Sequence, residues 1–362
     1  MRAVVLTALF LFSANYLKVC YNKPYKTKTE DIMDYSQILS QQFNIKEEYA
    51  KNIITLLDDG NTIPFIARYR KEMHGSMDDQ LIREFAEKLE YLRGLDKRRD
   101  EIRSLIDAQE KLTDEINLAL DKAATLSELE DIYRPYRPKR KTRASIAKEK
   151  GLEPLANDIL KQEKGFDPSK SAVDYIDEEK GVTSVEDAIQ GAMDIIAELV
   201  SDNAEIRKRI RNLTNANGVL VSVATDEEKD SVYKNYYDYK EPVKKIAGHR
   251  VLAVNRGEKE GFLKVSVETD SEKPLNSIFR AMITDKNQLC SDIIREACTD
   301  AYQRLIYPSI EREVRNDLTD TASENAMKVF AVNLKQLLMQ PPVKGKTVLA
   351  LDPGYRTGCK TA

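Results

Sequence analysis

The densest group of side chains capable of binding chemistry is a basic tract at Tyr133–Arg143, with the sequence YRPYRPKRKTR. The slightly longer stretch Tyr133–Lys150 contains eight Lys or Arg residues and a single Glu. Cations grouped in this way attract phosphates, because their binding releases counterions from a nucleic acid, and exposed tyrosines can stack on bases. The tract therefore predicts a nucleic-acid contact through Tyr133, Arg134, Tyr136, Arg137, Lys139, Arg140, Lys141 and Arg143.

The basic tract also has a structural interpretation. Its two prolines, Pro135 and Pro138, lack a backbone N–H and keep the segment from forming a regular helix, so the cations are expected on an extended or turning stretch. Such a connector could be neutralised by acidic helices such as Glu128–Asp131, or could pack on a neighbouring domain. Both interpretations stay open at the level of the sequence.

A second, smaller cationic group lies in Ile63–Glu72, where Arg68, Arg70 and Lys71 interrupt an apolar helix. These side chains could face phosphates. An equally good alternative is that they pair with acidic residues of neighbouring helices. We keep Arg68 and Arg70 as additional candidate nucleic-acid residues.

The third segment, Lys346–Lys360, places a carboxylate beside a tight turn. The apolar run Val348–Leu351 is expected to form a strand that delivers Asp352 into a Pro-Gly turn. Ribonuclease H-like nucleases hold Mg²⁺ with such an acid, and actin-like ATPases cradle phosphates with a similar turn. The ordinary alternative is an aspartate that begins a β-turn.

Asp352 is only a weak candidate for a catalytic acid. Nuclease chemistry with two metal ions needs several carboxylates that converge on the ions. Only ten residues follow Asp352, so a complete site is not expected within this chain. We therefore expect a non-enzymatic protein without a metal site or a cofactor.

The composition of the chain limits which binding sites and catalytic sites it can contain. The formal net charge of −3 gives no overall attraction to polyanions, so local patches must account for any nucleic-acid binding. Only two histidines, His74 and His249, are present, which nearly excludes histidine-rich metal sites and Ser-His-Asp triads. The four cysteines form no CxxC pair, which favours a reducing compartment. The cytoplasm is the expected location.

Residues 1–32 are predicted to form a separate leader. Arg2 and the apolar run Val4–Phe12 resemble a signal peptide. The run is too short to span a bilayer, which takes about 20 apolar residues, so no membrane partner is expected. Met33 begins a segment typical of an ordinary protein start, and a start assigned too far upstream is favoured over a genuine export signal.

Apolar periodicity predicts a mostly helical chain after the leader. Two short helices are expected in Asp34–Asp59, and Ser76 or Asp78 can cap a helix of some thirty residues. Further helices are expected from Gly151 to Thr214. The apolar face of the long helix consists of Phe85, Leu89, Leu92, Leu95, Ile102, Leu105 and Ile106.

The pattern changes after Asn217. Val219–Val223 is typical of a strand, and His249–Asn255 is predicted to pair with Phe262–Glu268 in a hairpin. Helices then return, and Pro308 is expected to stop the first of them. These last helices are predicted at Leu289–Tyr307, Ser309–Leu318 and Ser323–Gln340.

Four separated segments resemble the bacterial Tex family of transcription accessory proteins. They are IPFIARYRKE (63–72), YRPKRKTRASIAKEKGLEPL (136–155), HRVLAVNRGEKEG (249–261) and VLALDPGYRTGCK (348–360). Four motifs in register are more specific than any one of them, and the resemblance extends from Met33 to the end of the chain. It identifies this chain as similar to the N-terminal portion of the family.

The resemblance implies both an architecture and a role. A helical N-terminal region would precede a YqgF-type, ribonuclease H-like α/β domain, helix-hairpin-helix elements and an S1 domain. The implied domains of this chain are a leader (1–32), a helical N-terminal domain (33–225), a hairpin and helix-turn-helix-like region (226–342), and the first strand of a truncated YqgF domain (343–362). The YqgF domain of the family is regarded as lacking a full set of catalytic acids, which weakens the case for Asp352 further.

Three functional hypotheses follow. The leading one is a non-enzymatic, RNA- or DNA-binding transcription accessory protein. The second is a metal-dependent nuclease in the full-length parent, with Asp352 as its first carboxylate. The third is a helical scaffold that docks RNA polymerase or the ribosome.

Overall fold

The computed structural model describes residues 29–138, 141–284, 286–341, 344–354 and 358–362, with side chains from Tyr35 onward. This part of the chain is mostly helical and contains two small antiparallel sheets, which confirms the predicted fold class. Residues 1–28 of the predicted leader lie outside the described residues, as do Lys139 and Arg140 of the basic tract.

The contacts along the chain separate two compact units, and the division falls between Tyr136 and Arg137. The basic tract therefore straddles the division, with Tyr133, Arg134 and Tyr136 in the first unit and the remaining cations in the second. The domain boundaries inferred from the family resemblance, at 225/226 and 342/343, stay predictions.

The first unit begins with helices that enclose an apolar core. Its buried side chains include Leu39, Ile53, Ile54, Ile66 and Phe85. The two short helices predicted before Gly60 are confirmed, and Asp78 rather than Ser76 caps the long helix by accepting a hydrogen bond from the Leu81 N–H at 2.8 Å. The helices are α1 (Thr29–Phe43), α2 (Glu47–Asp58), α3 (Ile63–Tyr69), α4 (Lys71–His74) and α5 (Asp79–Asp107).

The long helix α5 connects this core to a second one in the same unit. Its first half contributes Ile82, Phe85 and Leu89 to the first core, and its second half contributes Ile102 and Ile106 to the second. The second core is completed by α6 (Asp114–Lys122), α7 (Leu126–Tyr133) and a 3₁₀ turn at Arg134–Tyr136. One helix of 29 residues thus contributes buried side chains to both cores of the first unit.

The second unit is built around a buried helix, α11. Its small and branched side chains, including Ala188, Ala192, Ile196 and Val200, are fully buried against the surrounding helices. The central helix α11 is Val185–Asp202. The helices around it are α8 (Arg143–Glu149), α9 (Glu153–Lys161), α10 (Pro168–Ala172), α12 (Ala204–Asn217), α14 (Glu272–Met282) and α15 (Gln288–Asp300).

A three-stranded antiparallel sheet follows α12, with β1 (Val219–Ala224) between β2 (Asp238–Pro242) and β3 (Leu263–Glu268). The predicted strand at Val219–Val223 is confirmed. The predicted hairpin is wrong, because Gly248–Lys259 forms helix α13. Val251, Val254 and Gly257 are buried at intervals of three, a helical period that outweighs the preference of valine for strands.

Side chains cover the outer edge of β3. The Val265 N–H is accepted by Glu258 at 3.2 Å, and the Val265 carbonyl accepts from Arg315 at 3.0 Å. One residue pair further on, the Val267 N–H donates to Glu311 at 2.9 Å, and Tyr307 donates its hydroxyl to the Val267 carbonyl. The backbone groups at this edge are therefore satisfied without another strand.

The last helices form one continuous rod, so the predicted stop at Pro308 is wrong. After α15, a π-helical turn at Ala301–Ile306 leads directly into α16 (Tyr307–Leu338). Because a proline cannot donate an N–H and its ring crowds the preceding turn, the wider π turn accommodates it without breaking the helix. The second half of α16 carries exposed apolar side chains such as Phe330 and Leu337.

The final segment forms a two-stranded antiparallel sheet of β4 (Leu351–Pro353) and β5 (Cys359–Thr361). The strand expected at Val348–Leu351 is therefore misplaced. Asp352 lies inside β4 rather than beyond its end, and its cross-strand partner in register is Lys360.

Candidate nucleic-acid interface

The first part of the basic tract ends helix α7, and its first tyrosine points into the protein. Tyr133 is only 6% exposed and belongs to the core formed with Leu129 and Ile102. The guanidinium of Arg98 lies over its ring at 5.7 Å from the centroid. The expectation that Tyr133 stacks on a base is therefore corrected, because Tyr133 follows Leu129 by four residues and shares its buried helix face.

Arg134 and Tyr136 are half-buried in the 3₁₀ turn that follows. Tyr136 packs against the same core, and its carbonyl accepts a hydrogen bond from Gln109 Nε2 at 2.9 Å. The acidic residues proposed as neutralising partners have contacts in this unit. Glu130 pairs with Arg98 at 2.7 Å, and Glu128 accepts the Ala124 N–H at 2.8 Å. The first part of the tract thus has a mainly structural environment.

In the second part of the tract, the three described cations lie on the surface of the other unit. Arg137, Lys141 and Arg143 are all exposed. Arg137 precedes Lys139 and Arg140 in the sequence, Lys141 follows them, and Arg143 is the first residue of α8. This segment, residues 137–143, is called the basic segment below.

A capping box fixes the junction of the basic segment with α8. The Thr142 hydroxyl accepts the Ser145 N–H at 3.0 Å, and the Ser145 hydroxyl accepts the Thr142 N–H at 2.8 Å. The Thr142 hydroxyl also donates to Glu198 on α11 at 3.0 Å. The reciprocal pair satisfies two backbone N–H groups and sets the direction in which the chain enters α8 at Arg143.

Close packing holds α8 against α11. Ala144 and Ala147 form the buried face of α8. A Cβ at Gly191 of α11 would lie 2.3 Å from Cδ1 of Leu152, the residue before α9, and 3.4 Å from Ala147 Cβ on α8. Glycine at this position therefore leaves room for the buried Leu152 side chain. The basic segment is thus attached to the core of the second unit through a tight helix contact.

Two described cations of the basic segment, Lys141 and Arg143, interact with carboxylates of the second unit. Lys141 forms an ion pair with Glu149 at 3.7 Å between two well-exposed side chains, which contributes little in water. Arg143 acts at longer range on Asp194. Burial raises the pKa of the Asp194 carboxyl, and the charges of Arg304 and Arg143 oppose that shift. Competing phosphates could therefore displace Glu149 from Lys141 at small cost.

The second predicted patch lies on α3 in the first unit. Arg68 is exposed, and the guanidinium of Arg70 lies over the Phe65 ring at 5.3 Å from its centroid. Sequence reasoning selected the two arginines but not Tyr69, which is 64% exposed. The missed signal was its spacing, since Tyr69 follows Phe65 by four residues on one face of the helix.

Asp352, the weak candidate acid, is exposed on the terminal two-stranded sheet. Within the described ranges, no group of three or more His, Cys, Asp or Glu side chains is placed to hold a metal ion. None of the helices in those ranges is both long and apolar enough to cross a membrane.

Comparison with known proteins identifies the family. Residues 33–107 match a family model described as a Tex-like protein N-terminal domain, and residues 163–330 match one described as Tex central region-like. This chain belongs to the Tex family. The family resemblance found in the sequence is thereby confirmed, and the basic segment lies between the two matched ranges.

Three relatives illustrate the range of Tex-like proteins. The uncharacterized protein YdcI of Bacillus subtilis is 45% identical over 337 residues, and the protein tex of Bordetella pertussis is 37% identical over 352 residues. A human protein named S1 RNA-binding domain-containing protein 1 is 32% identical over 355 residues. These alignments cover 91%, 91% and 93% of this chain but only 47%, 44% and 35% of the relatives. The chain thus spans about half the length of the bacterial relatives.

Proposed function

We propose that this chain is the nucleic-acid-binding N-terminal portion of a Tex-type transcription accessory protein, and that single-stranded RNA is its ligand. The observation that carries the proposal is the exposure of Arg137, Lys141 and Arg143, next to the capping box at Thr142 and Ser145. Cations on a non-helical stretch can follow a flexible phosphate backbone. The choice of RNA draws support from the human relative, whose name specifies an S1 RNA-binding domain.

The process and location are part of the same proposal. A relative from Neisseria gonorrhoeae is named transcriptional accessory protein Tex. We extend that role to the parent of this chain, acting in the cytoplasm on transcripts and in contact with the transcription or translation machinery. The chain acts by binding and not by catalysis.

The test compares two variants with equal loss of charge. In the first, Arg137, Lys139, Arg140, Lys141 and Arg143 are replaced by Gln. The matched control replaces five exposed lysines elsewhere in the second unit: Lys161, Lys170, Lys180, Lys234 and Lys240. Four of these already pair with a carboxylate: Lys161 with Asp158, Lys170 with Asp167, Lys180 with Asp177 and Lys234 with Asp230.

Binding is measured by fluorescence anisotropy with a labelled single-stranded RNA at low salt. The basic-segment variant should bind at least about tenfold more weakly, and the control should stay within about twofold of wild type. Equal losses in the two variants would show that only net charge matters. Undetectable binding by the wild-type chain would make the segment structural.

The non-enzymatic part of the proposal has its own test. The chain is incubated with end-labelled RNA and Mg²⁺, alongside Asp352→Asn. Because Asp352 is exposed opposite Lys360 in the sheet register, we expect no cleavage that depends on this carboxylate. Mg²⁺-dependent cleavage that disappears in Asp352→Asn would replace this part of the proposal with the nuclease hypothesis.

A further inference from the structure

An exposed aromatic ring among cations lies on α3 and α4 of the first unit. We call it the Tyr69 patch; it consists of Phe65, Arg68, Tyr69, Arg70 and Lys71. Tyr69 is 64% exposed and is the only large apolar or aromatic side chain exposed to that degree in the described part of the first unit. Arg68 and Lys71 on either side of it are also exposed.

Contacts within the patch involve both the ring and the backbone of Tyr69. The rings of Phe65 and Tyr69 lie 5.4 Å apart at a tilt of 42°. The Arg70 guanidinium lies over the Phe65 ring, and Arg70 Nη1 donates to the Tyr69 carbonyl at 3.2 Å. The ring contact with Phe65 restricts the Tyr69 side chain, which reduces the entropy lost when a ligand packs on it.

The charges of the patch differ from those of several paired arginines on α5. On α5, Arg93 pairs with Asp58 and Arg103 pairs with Asp121, both at 2.7 Å, and Arg98 pairs with Glu130. Among the described residues, neither Arg68 nor Lys71 forms an ion pair with a carboxylate. Their charge is therefore available to an external anion.

We infer that the Tyr69 patch is a stacking site for an unpaired base of a single-stranded nucleic acid. The base stacks on the Tyr69 ring, while Arg68 and Lys71 bind the flanking phosphates. Stacking needs an open π face and tolerates any base, whereas a duplex hides its base faces. A protein ligand fits less well, because the exposed side chains beside Tyr69 are cationic rather than aliphatic.

This inference rests on the proposed function for its class of ligand, but it concerns a different surface. The basic segment lies in the second unit and supplies only charge. The Tyr69 patch lies in the first unit and adds selectivity for single strands over duplexes. The two surfaces can therefore be tested separately.

The chain contains no tryptophan, so a single one becomes a local fluorescent reporter. Tyr69→Trp places it in the patch. Tyr91→Trp is the matched control, since Tyr91 is also exposed, at 43%, and also has a lysine, Lys88, over its ring at 4.8 Å. A single-stranded oligouridylate of about twelve nucleotides is the probe, and its duplex with oligoadenylate is the comparison.

We expect the oligouridylate to quench Tyr69→Trp and not Tyr91→Trp, and the duplex to quench neither. In an anisotropy titration, Tyr69→Leu should bind the oligouridylate about fivefold or more weakly, and Tyr69→Phe should bind like wild type, because phenylalanine keeps the π face. Circular dichroism confirms that each variant is folded.

The outcomes separate the two claims. If the wild-type chain binds the oligouridylate but Tyr69→Leu binds equally well and Tyr69→Trp is not quenched, the patch inference is overturned and the proposed function stands. If quenching is equal with the duplex, the patch is not selective for single strands and the inference is also overturned. If the wild-type chain binds neither probe, both claims fall.

Discussion

At the scale of single residues, two tyrosines next to arginines have opposite environments. Tyr133 lies in the densest basic tract and is buried, whereas Tyr69 lies in a weaker cationic group and is exposed. Of the cations that composition selected in the tract, Arg137, Lys141 and Arg143 are exposed. Composition could not tell which tyrosine is buried, because burial depends on which face of a helix packs against the core. The residues that pack against that face come from distant parts of the sequence.

The carboxylate of Glu241 in strand β2 gives a prediction at this scale. Glu241 accepts hydrogen bonds from the Tyr239 hydroxyl and from Arg250 Nη1, the latter at 2.9 Å. These bonds hold the pKa of the Glu241 carboxyl below its usual value of 4.5. The ionised carboxylate therefore stabilises the fold above that value, and this stabilisation is lost as the pH falls towards the lower pKa of the folded state.

Glu241→Gln should lower the free energy of unfolding at pH 7 by about 1 kcal/mol. The difference from wild type should shrink as the pH is lowered below 4.5. Urea unfolding at a series of pH values measures both, with Glu227→Gln on an exposed loop as the control. A difference that stayed constant with pH would contradict the assigned hydrogen bonds.

At the scale of elements, local periodicity predicted helices better than it predicted where they end. The long helix after Asp78 and the strand β1 were predicted because each follows a single period. Pro308 failed as a stop signal, since the π turn at Ala301–Ile306 supplies a geometry that the sequence pattern does not reveal. The covered edge of β3 likewise depends on side chains of α13 and α16, which come together only through tertiary packing.

The close approach between Gly191 on α11 and Leu152, which follows α8, gives the prediction at this scale. Gly191→Ala should destabilise the second unit by about 1–3 kcal/mol, because the added methyl would overlap Leu152 Cδ1. Gly94→Ala is the matched control, since a Cβ there meets nothing within 4 Å. In the middle of α5 it should stabilise the helix by about 0.5–1 kcal/mol. Denaturant unfolding of the two variants checks the opposite signs.

The same glycine connects stability with binding. Because α8 carries Arg143 and its capping box positions the basic segment, Gly191→Ala should also weaken RNA binding, while Gly94→Ala should not. Full RNA affinity in a folded but destabilised Gly191→Ala protein would indicate that the segment binds without support from the α8–α11 contact.

At the scale of the whole molecule, a chain of net charge −3 is proposed to bind a polyanion through local surfaces. Membership of the Tex family was predictable from four separated motifs. The division of the chain between Tyr136 and Arg137 was not predictable from the sequence. The basic tract that spans this division has a uniform composition, although its first part packs in one unit and its second part belongs to the other. The basic segment in one unit and the Tyr69 patch in the other provide charge and stacking on separate surfaces.

The salt dependence of RNA binding tests the central claim most directly. On a single strand, each phosphate neutralised by the protein contributes about −0.7 to the slope of log K against log salt concentration. About three phosphates bound by the basic segment and two bound by Arg68 and Lys71 predict a wild-type slope of about −3.5. Replacing the five cations of the basic segment by Gln should make the slope shallower by about 2. Identical slopes for the wild type and this variant would contradict the claim that the basic segment binds the phosphate backbone.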